Sequence, residues 1–376
     1  MPIYKTNGEK DGHKKYIVRI NYISDSGEHK QLTRVAYGSA NAKNLELELN
    51  GKLKNKGEMP IRKIMVRQLY EEYKSVKQYE IRATTFAKLQ QVFESHILPT
   101  FENHRIDRVT IEMIKDWKII IREKQLALRT NKTVFTHFRA IFNYALKMEY
   151  LPKKPFAKID NFKSNNDIEK EMQFYTAEEF KIFIRRAKEI ASEREKQLND
   201  LSEWNYYVFF NIAFYTGLRK GEIHALKWSD IKGSYLAVKR SVTQRLSGGD
   251  KETPPKNKSS IRTLQMPTPL IMILKEHQER QKIFHNYNED FRICGSTRDT
   301  TIQRRNELYS KVLGKTIRIH DFRHSHVSIL ANEGINIQEI ARRLGHSRIE
   351  ITWNTYCHLY PKEEERAVQV LNSFDY

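Results

Sequence analysis

Hydrophobic positions along the chain follow two periods, and each predicts its own kind of element. Tyr16, Val18, Ile20 and Tyr22 alternate with polar or basic residues, a period of two that predicts a strand with one buried face. Ser24-Asp25-Ser26-Gly27-Glu28 supplies turn chemistry, and residues 31–37 read as the returning strand. Residues 40–53 then predict a helix with Leu45, Leu47 and Leu49 on an imperfect stripe. From about 64 to 149 the spacing becomes helical. Leu69, Tyr73 and Val76 form one amphipathic segment, and Phe86, Leu89, Val92 and Phe93 form another that Pro99 should stop. Ile111, Ile114 and Trp117 open a third helix, while Phe135, Phe138, Phe142 and Ala145 mark a fourth. Aromatics at that spacing predict core packing.

Residues 152–166 carry two prolines and several lysines, a linker composition. Beyond them, Thr176-Ala177-Glu178-Glu179 is a capping box that opens another helix. Residues 204–215 are apolar on nearly every side, which predicts a buried helix broken at Thr216-Gly217-Leu218. Arg219 starts the next helix, with Ile223, Leu226 and Trp228 facing inward. Residues 236–242 and 261–266 read as strands around a polar loop at 248–260, and residues 269–284 are helical, as is much of the chain to Val312. A final amphipathic helix is expected after Pro361, with Val368, Val370 and Leu371 apolar. The breaks divide the chain into a β-rich unit at 1–57, a helical unit at 64–150, a linker at 151–170 and a mixed unit at 171–376. The fold expected is mainly α with small β-sheets, an α+β class.

Charge changes the picture more than size does. Lys and Arg number 66 against 46 Asp and Glu, a formal net charge of +20, which points to a polyanion such as nucleic acid. No apolar run approaches the ~20 residues that span a bilayer, and the start has no apolar leader, so a bacterial cytoplasmic, nucleoid-associated protein is expected. Two cysteines, Cys294 and Cys357, make neither a disulfide framework nor a four-cysteine zinc site. His320, His324 and His326 lack a Cys or Glu partner at ligand spacing, and no metal is expected.

The candidate chemistry lies between His320 and His358. There His320-Asp321-Phe322-Arg323 places an imidazole and a guanidinium on one helical face, a pair suited to a phosphate. His346 follows, and ten residues later comes Tyr356 within Thr355-Tyr356-Cys357-His358. A tyrosine becomes a nucleophile only where its phenolate and the charge on its target are stabilised. Taken with Thr216-Gly217-Leu218-Arg219-Lys220-Gly221-Glu222, these residues make the chain resemble the tyrosine recombinases, the integrases of phages and transposons. The resemblance covers about 176–361. It departs only at Phe322, where leucine is common, and at Gln265-Met266-Pro267.

The resemblance implies a set of roles. Arg219, His320, Arg323 and His346 match the family's phosphate-binding residues, and Tyr356 matches its nucleophile. Lys256 matches the general acid, with Lys258 the other candidate, and Glu222 matches a supporting acidic residue. Tyr360 is a rival nucleophile, but it precedes Pro361 and lacks the Thr-Tyr-x-His setting. The chemistry implied is metal-free and ATP-free DNA cutting and rejoining through a 3′-phosphotyrosyl bond, with His320 accepting or relaying the phenol proton. The units become an N-terminal arm-DNA-binding domain, a helical core-binding domain and a mixed α/β catalytic domain. Lys14, Arg19 and Arg34 on the hairpin, Lys132 and Arg139 on the helical unit, and Lys153 and Lys154 in the linker are the DNA contacts expected. The partners implied are double-stranded core and arm sites, a homo-tetramer, a directionality factor and a host DNA-bending protein. The alternatives are a chromosome-dimer resolving recombinase and a non-catalytic DNA-binding regulator.

Overall fold

The computed structural model describes residues 3–10, 12–23, 28–55, 59–60, 64–151, 155–163, 172–244, 246, 249–253, 258–295 and 297–359, with 368, 371 and 372 near the end. The chain divides into two compact units, Met1–Ile168 and Glu169–Tyr376.

In the first unit, β1 (Ile3–Lys10), β2 (His13–Ile23) and β3 (His29–Tyr37) form an antiparallel sheet, and the short β4 (Met59–Pro60) pairs with β2. The register sets Val18 opposite Arg34 and Ile20 opposite Leu32. Period-two alternation therefore turns Val18 and Ile20 inward, where they pack with Ala42, Leu49 and Leu53 of α1 (Ser39–Asn55). Leu47, off that stripe, is exposed. Arg19 lies on the open face, stacked 5.4 Å from the Tyr4 ring centroid, whereas Arg34 opposes Val18 across the strands. The expected basic hairpin thus divides its cations between two faces. Lys14 is exposed at the start of β2.

The helical part comprises α2 (Val66–Glu80), α3 (Ala83–Val92), α4 (Leu98–Phe101), α5 (Ile111–Glu123) and α6 (Leu128–Lys147). Pro99 does not stop the second amphipathic segment as expected. The chain passes from α3 through a π-helical turn, Phe93–Ile97, directly into α4. A helical proline removes one amide donor, and the wide turn orphans its own carbonyls. Lys124 Nζ donates to Ser95 O at 3.2 Å and Trp117 Nε1 to His96 O at 2.8 Å, which satisfies both. The expected aromatic stripe of α6 is buried, and residues 155–163, expected as linker, add Phe156, Ile159 and Phe162 to the same core. Arg139 is exposed on α6, and Lys132 is half-buried. Lys153 and Lys154 lie outside the described residues.

In the second unit, α7 (Ala177–Leu198) opens with the expected capping box: Thr176 Oγ1 accepts from Glu179 N, and Glu179 Oε2 from Thr176 N. Next, α8 (Ser202–Thr216) is surrounded by core on nearly every side, as its all-round apolar sequence predicts. The helix starting after Arg219 is only α9 (Lys220–His224), and Trp228 belongs to a 3-10 turn. The expected strand at 236–242 is two strands in different sheets. Strands β5 (Ile231–Lys232), β6 (Tyr235–Val238) and β9 (Arg262–Gln265) form one antiparallel sheet, while β7 (Ser241–Thr243) pairs with β8 (Lys251–Thr253). Then come α10 (Thr268–Lys282), α11 (Asp299–Ser310), α12 (Asp321–Asn332), α13 (Ile337–Leu344) and α14 (Ile349–Tyr356). Most of the expected helix after Pro361 lies outside the described residues. Among the described residues, no helix is long and apolar enough to cross a membrane.

Candidate active site

Two glycines bring the pieces together. Gly217 caps α8 in the left-handed conformation at φ 62°, and a Cβ there would stand 2.7 Å from His326 Cδ2 and 3.0 Å from Leu344 Cδ2. Only glycine therefore lets α12 and α13 close on the end of α8. His326 Nδ1 donates to Phe214 O at 2.9 Å, and burial lowers this imidazole to about 3, so it is a neutral strut. Gly345, at φ 65°, caps α13, and a Cβ there would meet Arg262 Nη1 at 2.9 Å.

Arg323, on the first turn of α12, is 3% exposed. Its Nη1 donates to Gly217 O at 2.8 Å, and its Nη2 donates to Leu344 O at 2.7 Å and to His346 Nε2 at 2.8 Å. Three of its five N–H groups thus join three chain segments. Burial first, then the charges of Arg219 and Arg262, lower it to about 9, still protonated at neutral pH. Because His346 Nε2 accepts, its Nδ1 carries the proton and donates to Thr352 Oγ1 at 2.7 Å. Burial, followed by Arg323, Arg219, Arg262 and His320, lowers His346 to about 4.

Arg219 is the residue before α9, where Glu222 reaches back to it. Glu222 Oε2 accepts from Arg219 N at 3.0 Å, and Oε1 from Arg219 Nη1 at 3.0 Å. The same buried carboxylate takes Arg262 Nη2 at 3.0 Å and Nη1 at 3.3 Å. Arg262 Nε also donates to Arg343 O at 2.6 Å, beside the cap that leads into His346. One carboxylate therefore serves two guanidiniums with Arg323 close by, which leaves a surplus of positive charge awaiting an anion. Desolvation would raise the Glu222 pKa, but Arg262 and Arg219 outweigh it and hold it below its usual value.

Tyr356 ends α14, 2% exposed and packed among Val327, Ala331, Ile340 and Leu344. Burial raises its phenol to about 12, against the pull of Arg323. Its hydroxyl lies 2.7 Å from His324 Nδ1. His320, immediately before α12, is open to solvent, with its ring edge-on to His324 at 5.5 Å. Partial desolvation and then Arg323 lower its pKa.

The structure thus gathers Arg219, Glu222, Arg323, His346, His320 and Tyr356. Lys256, and the side chain of Lys258, lie outside the described residues. Among the described residues, no group of three His, Cys, Asp or Glu side chains is placed to hold a metal ion. Sequence reasoning missed three groups: Arg262, His324 and Thr352. For Arg262 a signal existed, because alternation along β9 puts it on the buried face with Leu264, where a cation requires a partner. His324 stands one turn beyond His320, on the same face.

Glu222→Gln should lower stability by about 3 kcal/mol, because it leaves the buried Arg262 guanidinium without its counter-charge and takes the same partner from the half-exposed Arg219. Glu222→Leu combined with Arg262→Met should restore part of the loss, as read by chemical denaturation. The sign of the pH dependence follows from the depressed carboxyl. Its contribution is present above about pH 4.3, the unfolded value, and is lost as pH falls through the lower folded value. A double variant no more stable than Glu222→Gln would refute this account.

Comparison with known proteins agrees with the geometry. The Phage integrase family matches residues 184–363, and the Phage integrase N-terminal SAM-like domain matches residues 65–118. The chain is 28% identical to the ICEBs1 integrase of Bacillus subtilis (strain 168) over 373 residues, 95% of this chain and 97% of that protein. It is 29% identical over 406 residues to a XerC-like tyrosine recombinase of Caldanaerobacter subterraneus, 98% of each chain. Among solved structures, the Tn1549 transposon integrase in complex with circular intermediate DNA superposes with a TM-score of 0.63 at 19% identity, over 81% of this chain and 98% of that one. A lambda integrase tetramer bound to a Holliday junction matches at 0.56 and 15% identity, over 96% and 95%. With the mainly helical fold and its small antiparallel sheets, these matches identify the chain as a tyrosine-type site-specific recombinase of the integrase family.

Proposed function

We propose that this recombinase integrates and excises a mobile element by cutting and rejoining double-stranded DNA, with Tyr356 as nucleophile. The observation that carries the reading is the meeting of Arg219, Arg323, His346 and His320 around one positively charged place, with the buried Tyr356 phenol under the influence of Arg323. Tyr356 Oη attacks the scissile phosphorus in line, forms a 3′-phosphotyrosyl bond and expels the 5′ oxygen. Arg219 and Arg323 hold the nonbridging oxygens, and His346 and His320 add hydrogen bonds. Each fixed donor of this kind is worth about 3–4 kcal/mol in the transition state. Lys256, or Lys258, protonates the leaving oxygen. Rejoining reverses the attack with another 5′-hydroxyl, so the bond energy is kept in the phosphotyrosine and neither ATP nor a metal is used.

Duplex exchange by one-strand cutters takes four protomers on DNA, in keeping with the lambda integrase tetramer on its Holliday junction. Residues 1–57 contact arm sites through Lys14, Arg19 and Arg34, and residues 64–150 contact core sites through Lys132 and Arg139. Lys153 and Lys154 follow the phosphate backbone within the linker region at 151–170, and residues 171–376 hold the chemistry. A directionality factor and a DNA-bending host protein complete the assembly on the bacterial nucleoid. The XerC-like relative supports a second reading, chromosome-dimer resolution. The ICEBs1 integrase, matched over 95% of this chain, speaks for the mobile element.

The test is a nicked suicide substrate carrying the element's own end. A denaturation-resistant protein–DNA adduct is expected, and peptide mapping should place it on Tyr356. An adduct on another residue, or none with cognate DNA, would overturn the assignment.

A further inference from the structure

We propose that His324, rather than His320, takes the phenol proton of Tyr356 during strand cleavage, with Asp321 as the positioning residue on the far side of its ring. This rests on the reading of Tyr356 as nucleophile. A protonated phenol has one hydrogen to donate, and among the described residues the acceptor within reach is His324 Nδ1 at 2.7 Å. An accepting Nδ1 puts the ring proton on Nε2, which faces Asp321 Oδ1 at 3.8 Å, an electrostatic contact longer than a hydrogen bond. Asp321 is itself fixed. It is 1% exposed, and its carboxylate accepts from Arg318 N at 3.0 Å, Arg318 Nε at 3.0 Å and Arg318 Nη2 at 2.9 Å. Phenol, imidazole and carboxylate thus stand in line. The order is that of a hydroxyl nucleophile, its base and the group that orients the base. His320 packs edge-to-face with the His324 ring and is exposed, which suits it to the phosphate instead.

The step balances. The Tyr356 O–H bond breaks as the Oη–P bond forms, and the proton passes to His324 Nδ1 to give an imidazolium. The P–O5′ bond breaks, and the leaving oxygen takes its proton from the general acid. On rejoining, the imidazolium returns the proton to Oη as the phosphotyrosyl bond breaks.

Charge supports the geometry. The groups acting on His324 are His320, Asp321, Arg318 and Arg323, with the Tyr356 phenol facing it from α14. Burial and then His320 lower the imidazole to about 4, so the free protein holds it as a neutral acceptor. An arriving phosphodiester adds negative charge that raises it and stabilises the imidazolium. The phenol loses its basicity only as its bond to phosphorus forms, so the transfer belongs to cleavage and not to the resting state.

The test measures the single-turnover rate of covalent adduct formation on the suicide substrate. His324→Gln should cut it by about 100-fold or more, with a native melting curve. Replacing Tyr356 by a fluorinated tyrosine of lower pKa should restore at least tenfold in His324→Gln but not in His320→Gln. A His324→Gln rate within threefold of the parent, or a loss that the fluorinated residue does not rescue, would overturn the proposal. Should His324→Gln not fold, ¹⁵N-imidazole NMR of the intact chain decides. An unprotonated His324 Nδ1 whose signal moves in Tyr356→Phe is expected, and a protonated Nδ1 refutes it. Absence of any adduct from the parent protein would instead remove the nucleophile assignment, a result distinct from all of these.

Discussion

Tyr356→Phe is expected to abolish the covalent protein–DNA adduct while leaving DNA affinity within about twofold of the parent. The change removes one oxygen and keeps the ring. That ring fills the space among Val327, Ala331, Ile340 and Leu344, so no cavity opens. Among the described residues, the hydroxyl lost makes one hydrogen bond, to His324 Nδ1, worth about 0.5–1.5 kcal/mol net. His324 retains some solvent access at 15% side-chain exposure, so water replaces the phenol there, and melting should fall by a few degrees at most. Affinity rests on the basic surface of a chain with a net charge of +20, which the substitution does not touch. Only the chemistry is removed, and deleting an enzyme's nucleophile costs on the order of 10⁶ in rate. The measurement pairs a gel-shift titration with adduct formation on the suicide substrate. An adduct that persists would move the nucleophile elsewhere, with Tyr360 the first residue to try.

What could be read in the sequence divides along a physical line. Residues whose chemistry demands a particular side chain at a fixed local spacing were legible: Arg219 with Glu222, His320 with Arg323, and His346 with Tyr356 all lie within one or two adjoining elements. The burial of α8 was also legible, since an apolar helix has no other place to go. Groups whose meaning depends on a distant partner were not. Arg262 reaches Glu222 across forty positions, and no periodicity records that pairing. His324 reaches Tyr356 over a similar separation, and its spacing from His320 and His326 does not record that partner; His326, two residues on, is bound to Phe214 O instead. Pro99 misled for a different reason. The rule that proline ends a helix assumes that its orphaned carbonyls go unpaired, and here Lys124 and Trp117 pair them from another helix. Proline and lysine content likewise hid the apolar spacing of Phe156, Ile159 and Phe162, which repeats every three residues and docks that segment on the helical core.

The same distinction predicts that two arginines proposed for one phosphate will fail differently when each is changed to lysine. Arg219 is 40% exposed in its side chain and bonds to Glu222, so Arg219→Lys should fold normally and lose cleavage alone. Arg323→Lys should lose both. Its planar fork ties Gly217 O, Leu344 O and His346 Nε2 from fixed directions, and a single ammonium cannot span them. Each buried carbonyl left unpaired costs about 1–3 kcal/mol, and the ammonium is buried where Arg219 and Arg262 repel it. A loss of about 2–4 kcal/mol in stability is therefore expected. Cleavage should fall at least 10³-fold even at temperatures where the variant is folded, because one clamp on the phosphate is gone and His346 has lost the donor that sets its tautomer. Denaturant titration and single-turnover cleavage at 10–15 °C below the variant's midpoint separate the two losses. If Arg323→Lys cleaved within tenfold of the parent once folded, Arg323 would be a scaffold strut that touches no phosphate. The direct clamp on the phosphate would then fall to Arg219, which is 40% exposed in its side chain.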